Sequence, residues 1–354
     1  MMANREKGHM MELPRRISIG YDILKELGSF LQDFGFEDSV LVVSGPNVRR
    51  HFAEILEDSL ITSRFKIKWY RVESSTKENA LKVAKIASDS RISVVVGLGG
   101  GKSVDISKLG AFHAGKQFVS VPTSASHDGI ASPFASMKGL DKPYSLVSRP
   151  PIGIIADINV IAGAPRKLLA SGCGDLISKI TAVKDWELSR DVTGEYFGKY
   201  AASLASMSAE ILVNESIRID GENKDGVRDI VEALISTGVA AGIAGSSRPC
   251  SGSEHMISHA LDLIAPGKGL HGEKCGMATI LMAKLHGLDW EIISRSLTRA
   301  RCPIRAADLG LSSDEIAKAI VMAPTIRKDR YTILTKERLS HDDALRLVKE
   351  TNVA

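Results

Sequence analysis

Long apolar runs are missing from this chain of 354 residues: no stretch approaches the roughly 20 residues that cross a bilayer, so insertion into a membrane is not expected. The opening MMANREKGHMMELPRR lacks the apolar segment of a signal peptide, which points to a cytoplasmic protein whose residues 1–11 form a flexible start. Cysteine is scarce. Cys173, Cys250, Cys275 and Cys302 are the four present, with no CxxC pair and no disulfide-like spacing, as suits reduced thiols. Charge of one sign is not in excess either, for the formal net charge is only +4 and the basic residues are scattered among acids. No basic stripe with interleaved aromatics marks a nucleic-acid surface, although a small anion would be welcome. Internal repeats, low-complexity tracts and long linkers are also lacking.

What remains is the composition of a globular protein, 44% hydrophobic and 25% charged, in a chain longer than one core usually grows. Two domains are therefore expected. In the first half, DSVLVVSG, FKIKWYRVE, ISVVVGLGGG, KQFVSVPTS and PIGIIAD are β-branched runs closed by turn residues. They alternate with helical patterns such as YDILKELGSFLQDF, VRRHFAEILEDSL and ENALKVAKIASD, the alternation of a parallel α/β sheet covered by helices. After Ala164 the texture turns to long helical stretches, from LLASGCGDLISKITAVKDWELSR through YFGKYAASLASMSAEILVNESIR to the C-terminus. The division is expected near Pro165, with an α/β domain over 12–163 and a helical domain over 164–354.

The segment GLGGGKSVD sets Gly97, Gly99, Gly100 and Gly101 between a buried strand and a helix beginning near Lys102. Amides at such a turn can approach phosphate oxygens closely, and the helix start favours negative charge. The pattern is neither GxGxxG nor the P-loop, so tight strand–helix packing is the competing reading. Asp105 reads equally as a first-turn carboxylate or as part of a site. After the next strand, VPTSASHDG offers Thr123, Ser124, Ser126 and Asp128, polar groups suited to a nucleotide but common in turns.

Three of the nine histidines crowd into SGSEHMISHALDLIAPGKGLHGEKCG. His255 and His259 stand four apart on one helix face, and His271 opens the next helix. Imidazoles with a carboxylate suit Zn²⁺, and the available carboxylate is Asp175, alone in the small-residue segment SGCGDLISK. Taken singly, each is as readily a cap or a core residue; together they favour a site. Lys179 shares the face of Asp175, either to hold it, to serve a substrate, or as a plain helix ion pair.

In combination, GLGGGKSVD, VPTSASHDG, SGCGDLISK, SGSEHMISH and LHGEKCG resemble the archaeal sn-glycerol-1-phosphate dehydrogenases, of the iron-containing alcohol dehydrogenase, glycerol dehydrogenase and dehydroquinate synthase superfamily. The resemblance runs from about Glu12 to the end. It implies a Rossmann-like nucleotide-binding domain followed by an all-helical domain, with Zn²⁺, NAD(H) or NADP(H), and substrate between them. Carried over by position, Asp175, His255 and His271 are the metal ligands, while Asp128, Asp175 and His259 contact substrate. Asp175 and His259 serve catalysis. The cofactor falls to Gly99, Gly100, Gly101, Lys102, Ser103, Thr123, Ser124, Ala125, Ser126 and Ser132. The implied reaction reduces dihydroxyacetone phosphate to sn-glycerol 1-phosphate for archaeal phospholipid synthesis, in a homo-oligomer. A glycerol dehydrogenase and a dehydroquinate-synthase-like lyase are the alternatives, and a non-enzymatic nucleotide-binding protein is the third.

Three expectations go further. The proton is to come through metal-bound water or from His259, whose pKa is expected near working pH. The turn Gly45-Pro46-Asn47 lacks the carboxylate that often holds the adenosine ribose, and Arg49 and Arg50 follow, so both coenzymes should serve. Finally, Ser246, Ser247, Arg248, Ser251 and Ser253 are the expected donors to the substrate phosphate, with Ser253 opening the histidine helix.

Overall fold

Strand periodicity organises the first half of the chain. The computed structural model describes residues 9–137, 145–214 and 223–354. Most of the expected flexible start, and residues 215–218 of one expected helix, lie outside them. Six strands form one parallel sheet in the order β1-β8-β5-β4-β2-β3. They are β1 (Arg16–Gly20), β2 (Ser39–Ser44), β3 (Lys66–Arg71), β4 (Ile92–Gly99), β5 (Gln117–Pro122) and β8 (Gly153–Asp157). A separate antiparallel pair, β6 (Phe134–Ser136) and β7 (Ser145–Val147), lies between β5 and β8 in the chain. In the sheet Val42 pairs with Trp69 on one side and Val96 on the other.

Alternate residues of the central strands enter opposite cores, because successive side chains leave opposite faces. Val40, Val42, Val94 and Val96 pack with Leu56 and Leu60 of the helix Pro46–Thr62. Leu41, Val43 and Val95 pack with Val83 of the helix Lys77–Ala87 and with Leu109 of the helix Gly101–His113. Apolar residues on both faces explain why these strands read as continuous runs rather than alternating ones. A third core fills the helical half and takes in Ile154 and Ala156 of β8.

Two sequence readings need adjusting. The segment expected as one helix over 21–34 is a 3₁₀ turn, Ile23–Glu26, followed by the short helix Leu27–Gln32. Likewise LLASGCGDLISKITAVKDWELSR folds as two helices, Arg166–Ile177 and Lys179–Thr193, meeting at Ser178. Among the described residues no helix is long and apolar enough to cross a membrane.

Candidate active site

The strand β4 runs straight into the glycine turn. Gly99 has φ +148°, a conformation side chains rarely adopt, and a Cβ there would lie 2.6 Å from Ser103 Oγ. Thr123 N–H donates to Gly99 O at 3.1 Å, which ties the end of β5 to the turn. The helix Gly101–His113 starts directly after it, with Gly100 as N-cap.

Backbone contact between two helices brings the acid to the histidines. Asp175 lies on Arg166–Ile177, and His271 opens His271–Leu285. A Cβ on Gly174 would sit 2.2 Å from Gly272 O, and one on Gly272 only 1.8 Å from Ser171 O. The helices can touch there because side chains are absent. His255 Nε2 lies 3.4 Å from Asp175 Oδ1. The His255 and His271 rings are centred 5.0 Å apart, and those of His259 and His271 5.8 Å apart. Cys275, one turn after His271, brings Sγ within 3.7 Å of His271 Nε2. His255, His271 and Cys275 each offer a ligand atom, all within 4.8 Å of one another.

Asp175 is buried and its two oxygens have different partners. Oδ1 accepts from Lys179 Nζ at 2.8 Å, and Oδ2 from Asp128 N–H at 2.9 Å. Lys179 Nζ also meets Asp128 Oδ2 at 2.9 Å and Cys250 O at 3.3 Å. Lys179 thus bridges two carboxylates 47 residues apart, more than the helix ion pair that spacing suggests. Burial opposes charge on both partners, yet the pairing wins: Lys179 is held well above its ordinary pKa and Asp175 well below.

The histidines differ electrostatically. Burial opposes a proton on His255, but Cys275, Asp175 and Glu254 outweigh it and raise its pKa well above the usual value. The excess of negative groups that favours a proton there also favours a metal cation, which would displace it. His271 is pushed well below the usual value by desolvation and by His255, leaving a neutral ring with one nitrogen lone pair free to ligate a metal. Desolvation, then His255, Lys274, Arg327 and Arg330, push His259 down to about 3. The expectation of a pKa near neutrality is therefore corrected. Its Nδ1 is buried and lacks a hydrogen-bond partner among the described residues.

A single cavity of about 520 Å³ is lined by Gly101, Lys102, Ser126 and Ser132 at the turn, and by Asp128, His255, His259 and His271. Gly99, Gly100, Ser103, Thr123, Ser124 and Ala125 are not among the lining residues. Asp175 lies beneath it, touching the lining residues Asp128 and His255.

Residues 18–165 match the family described as iron-containing alcohol dehydrogenase. The chain is 47% identical to glycerol-1-phosphate dehydrogenase [NAD(P)+] of Nitrosopumilus maritimus, covering 99% of this chain and 98% of the relative. It is 49% identical to the enzyme of the same name from Cenarchaeum symbiosum, with 98% and 97% covered. The chain belongs to the glycerol-1-phosphate dehydrogenase family. Its fold is similar to a crystal structure of glycerol dehydrogenase from Schizosaccharomyces pombe, with a TM-score of 0.81, 19% identity, and 98% of this chain and 91% of that one covered.

In this member of the glycerol-1-phosphate dehydrogenase family, the expected phosphate donors divide. Ser247 and Ser251 line the cavity, but Arg248 does not. Arg248 pairs with Glu195 at 2.8 Å through Nε and donates to Tyr331 O and Ser189 Oγ, each at 3.2 Å. Ser246 Oγ accepts from Arg248 N–H at 3.1 Å. Ser253 opens the histidine helix as expected, with Gly252 as N-cap, but its N–H donates to Asp185 Oδ2 at 2.6 Å and is not free for a phosphate. Besides the expected Lys102, two further cations line the cavity, Lys274 and Arg327, and the sequence reading missed them. Lys274 follows His271 by three residues, which was a usable signal, whereas nothing around Arg327 distinguishes it. Asp105 lines the cavity as well, and its Oδ2 accepts Ser136 N–H at 3.2 Å, so it ties down the end of β6 rather than serving its own helix start.

Proposed function

We propose that this family member reduces dihydroxyacetone phosphate to sn-glycerol 1-phosphate with NADH or NADPH, using a zinc ion held by Asp175, His255 and His271. The donor set fits the ion: two imidazoles and a carboxylate in a buried, electronegative pocket are ordinary zinc chemistry. Zinc so held supplies Lewis-acid polarisation of a carbonyl. The remaining work belongs to the chain. The glycine turn, with Lys102, Ser126 and Ser132, holds the dinucleotide against the start of the helix Gly101–His113. Lys179 keeps Asp175 ionised and fixes Asp128 beside it, where Asp128 orients the substrate. His259, neutral at working pH, hydrogen-bonds the substrate rather than giving it a proton.

The observation that carries the phosphate is that Lys274 and Arg327 line the histidine end of the cavity, where with Arg330 they add to the desolvation and the His255 charge that depress His259. Charge-assisted bonds of this kind give roughly 30- to 1000-fold discrimination, about 2 to 4 kcal/mol. Measuring kcat/KM for dihydroxyacetone phosphate and for dihydroxyacetone under identical conditions tests it. A strong preference for the phosphate is expected, and equal values would assign the chain to polyol oxidation instead. The reading extends to a cytoplasmic homo-oligomer working between two domains divided near residue 164, in archaeal phospholipid synthesis. Tyr200 and Met207, seven residues apart on the helix Lys199–Val213, are 88% and 58% exposed, and favour self-association. Sedimentation measures that association.

A further inference from the structure

Glu254 is fully buried between the cavity and the helix Lys179–Thr193. Its Oε1 accepts from Gly252 N–H at 2.6 Å and lies 2.8 Å from His255 Nδ1. Its Oε2 accepts from Thr181 Oγ1 at 2.9 Å. Among the described residues His255 is its ion-pair partner. An ionised carboxylate only accepts, so the ring nitrogen facing it must carry a proton. The proton on Nδ1 leaves Nε2 with the lone pair, and Nε2 is the nitrogen 3.4 Å from Asp175. The other two histidines have no such support. His271 Nδ1 meets Ser258 Oγ at 3.4 Å and Cys275 Sγ at 4.0 Å but no carboxylate, and His259 Nδ1 has no partner among the described residues.

We propose that Glu254 is a positioning residue of the metal centre, fixing His255 as its Nδ1–H tautomer so that Nε2 faces the cation. The inference rests on the reading of Asp175, His255 and His271 as ligands. A carboxylate behind a ligating imidazole sets its tautomer and rotation and makes it a better donor. The helix Lys179–Thr193 then supports two ligands at once, Asp175 through Lys179 and His255 through Thr181 and Glu254. Sequence adjacency hides this role, because Glu254 otherwise reads as a first-turn acid.

The test uses full-length, zinc-loaded protein. Chelator competition should show Glu254→Gln, which keeps the volume and one acceptor oxygen, binding zinc about 10- to 100-fold more weakly than wild type. The visible spectrum of the cobalt-substituted variant should shift with it. Asp185→Asn serves as a control, since Asp185 anchors the same helix start through Ser253 N–H, and the histidine it meets, His286, stands outside the metal site. It should lower Tm and leave zinc affinity unchanged. Equal weakening in both variants, or none in Glu254→Gln, overturns the proposal. Independently of any variant, ¹⁵N shifts of the wild-type zinc protein should report His255 metallated at Nε2 and protonated at Nδ1, and metallation at Nδ1 overturns it. His255→Ala separates the two readings: if it retains zinc the metal site itself is wrong, whereas zinc loss there with wild-type affinity in Glu254→Gln removes Glu254 alone.

Discussion

Single buried charges set what each residue of the cavity can do. Asp175→Asn, His255→Ala and His271→Ala should each lose tightly held zinc and turnover while the fold persists, because separate apolar clusters supply the cores. His259→Ala should keep its zinc and lose rate or substrate affinity; metal analysis distinguishes the two outcomes. Lys108 gives a pH-dependent test away from the metal. Its Nζ donates to Gly129 O and Phe134 O, each at 2.7 Å, and so pins the loop that carries Asp128 and Ser132. Burial pulls its pKa from 10.5 to about 8 against the opposing pull of Asp105 and Asp128. A lysine depressed in the folded state destabilises the fold below about pH 8, and the penalty lifts as pH rises toward the unfolded value. Over that window wild type should gain up to about 3 kcal/mol relative to Lys108→Met in denaturant unfolding. A difference independent of pH would refute this.

At the scale of elements, the crossing of Arg166–Ile177 with His271–Leu285 is what sets acid against imidazole. Backbone rests on backbone at Gly174 and Gly272, so a methyl group at either must part the helices. Gly174→Ala should cost about 1 to 3 kcal/mol, the usual range for overpacking, and should weaken zinc by more than tenfold because Asp175 adjoins the contact. Loss of stability with zinc affinity intact would show that the crossing does not position the ligand. Two arginines separate here as well. Arg248→Ala breaks a buried pair with Glu195 and should lower Tm without changing the preference for phosphate over dihydroxyacetone. Arg327→Ala should reduce that preference and leave Tm nearly unchanged.

For the molecule as a whole, the proposed reaction calls for recognition of two anions, the coenzyme and the substrate phosphate. Beyond the turn Gly45-Pro46-Asn47, a second cavity of about 610 Å³ is lined by Ser44, Arg49, Arg50 and Arg71, together with Glu54 and Glu57. Arg49 lies 4.6 Å over the Trp69 ring, a stacking that orients its guanidinium. A 2′-phosphate should be accepted there, so kcat/KM for NADPH and NADH should differ by less than about a thousandfold, roughly 4 kcal/mol. Arg49→Ala should reduce NADPH use more than NADH use. A stronger preference for NADH in the parent enzyme would refute the prediction.

Local periodicity made much of this legible. Apolar runs of strand length, the glycine turn after β4 and the four-residue spacing of His255 and His259 depend on neighbours in sequence, and they read correctly without the fold. β1 escaped because Arg16–Gly20 is a short, half-exposed edge strand whose partner, β8, comes more than 130 residues later. Arg248 was misplaced because Glu195, 53 residues away, claims its guanidinium, whereas Arg327 reaches the cavity from a segment with no motif. The low pKa of His259 and the bridge from Lys179 to Asp128 likewise depend on charges gathered from distant segments. The sequence by itself determined which residue types were available and which elements would carry them. Only the tertiary structure decided which charges meet, because burial and pairing are properties of packed surfaces that no spacing along the chain contains.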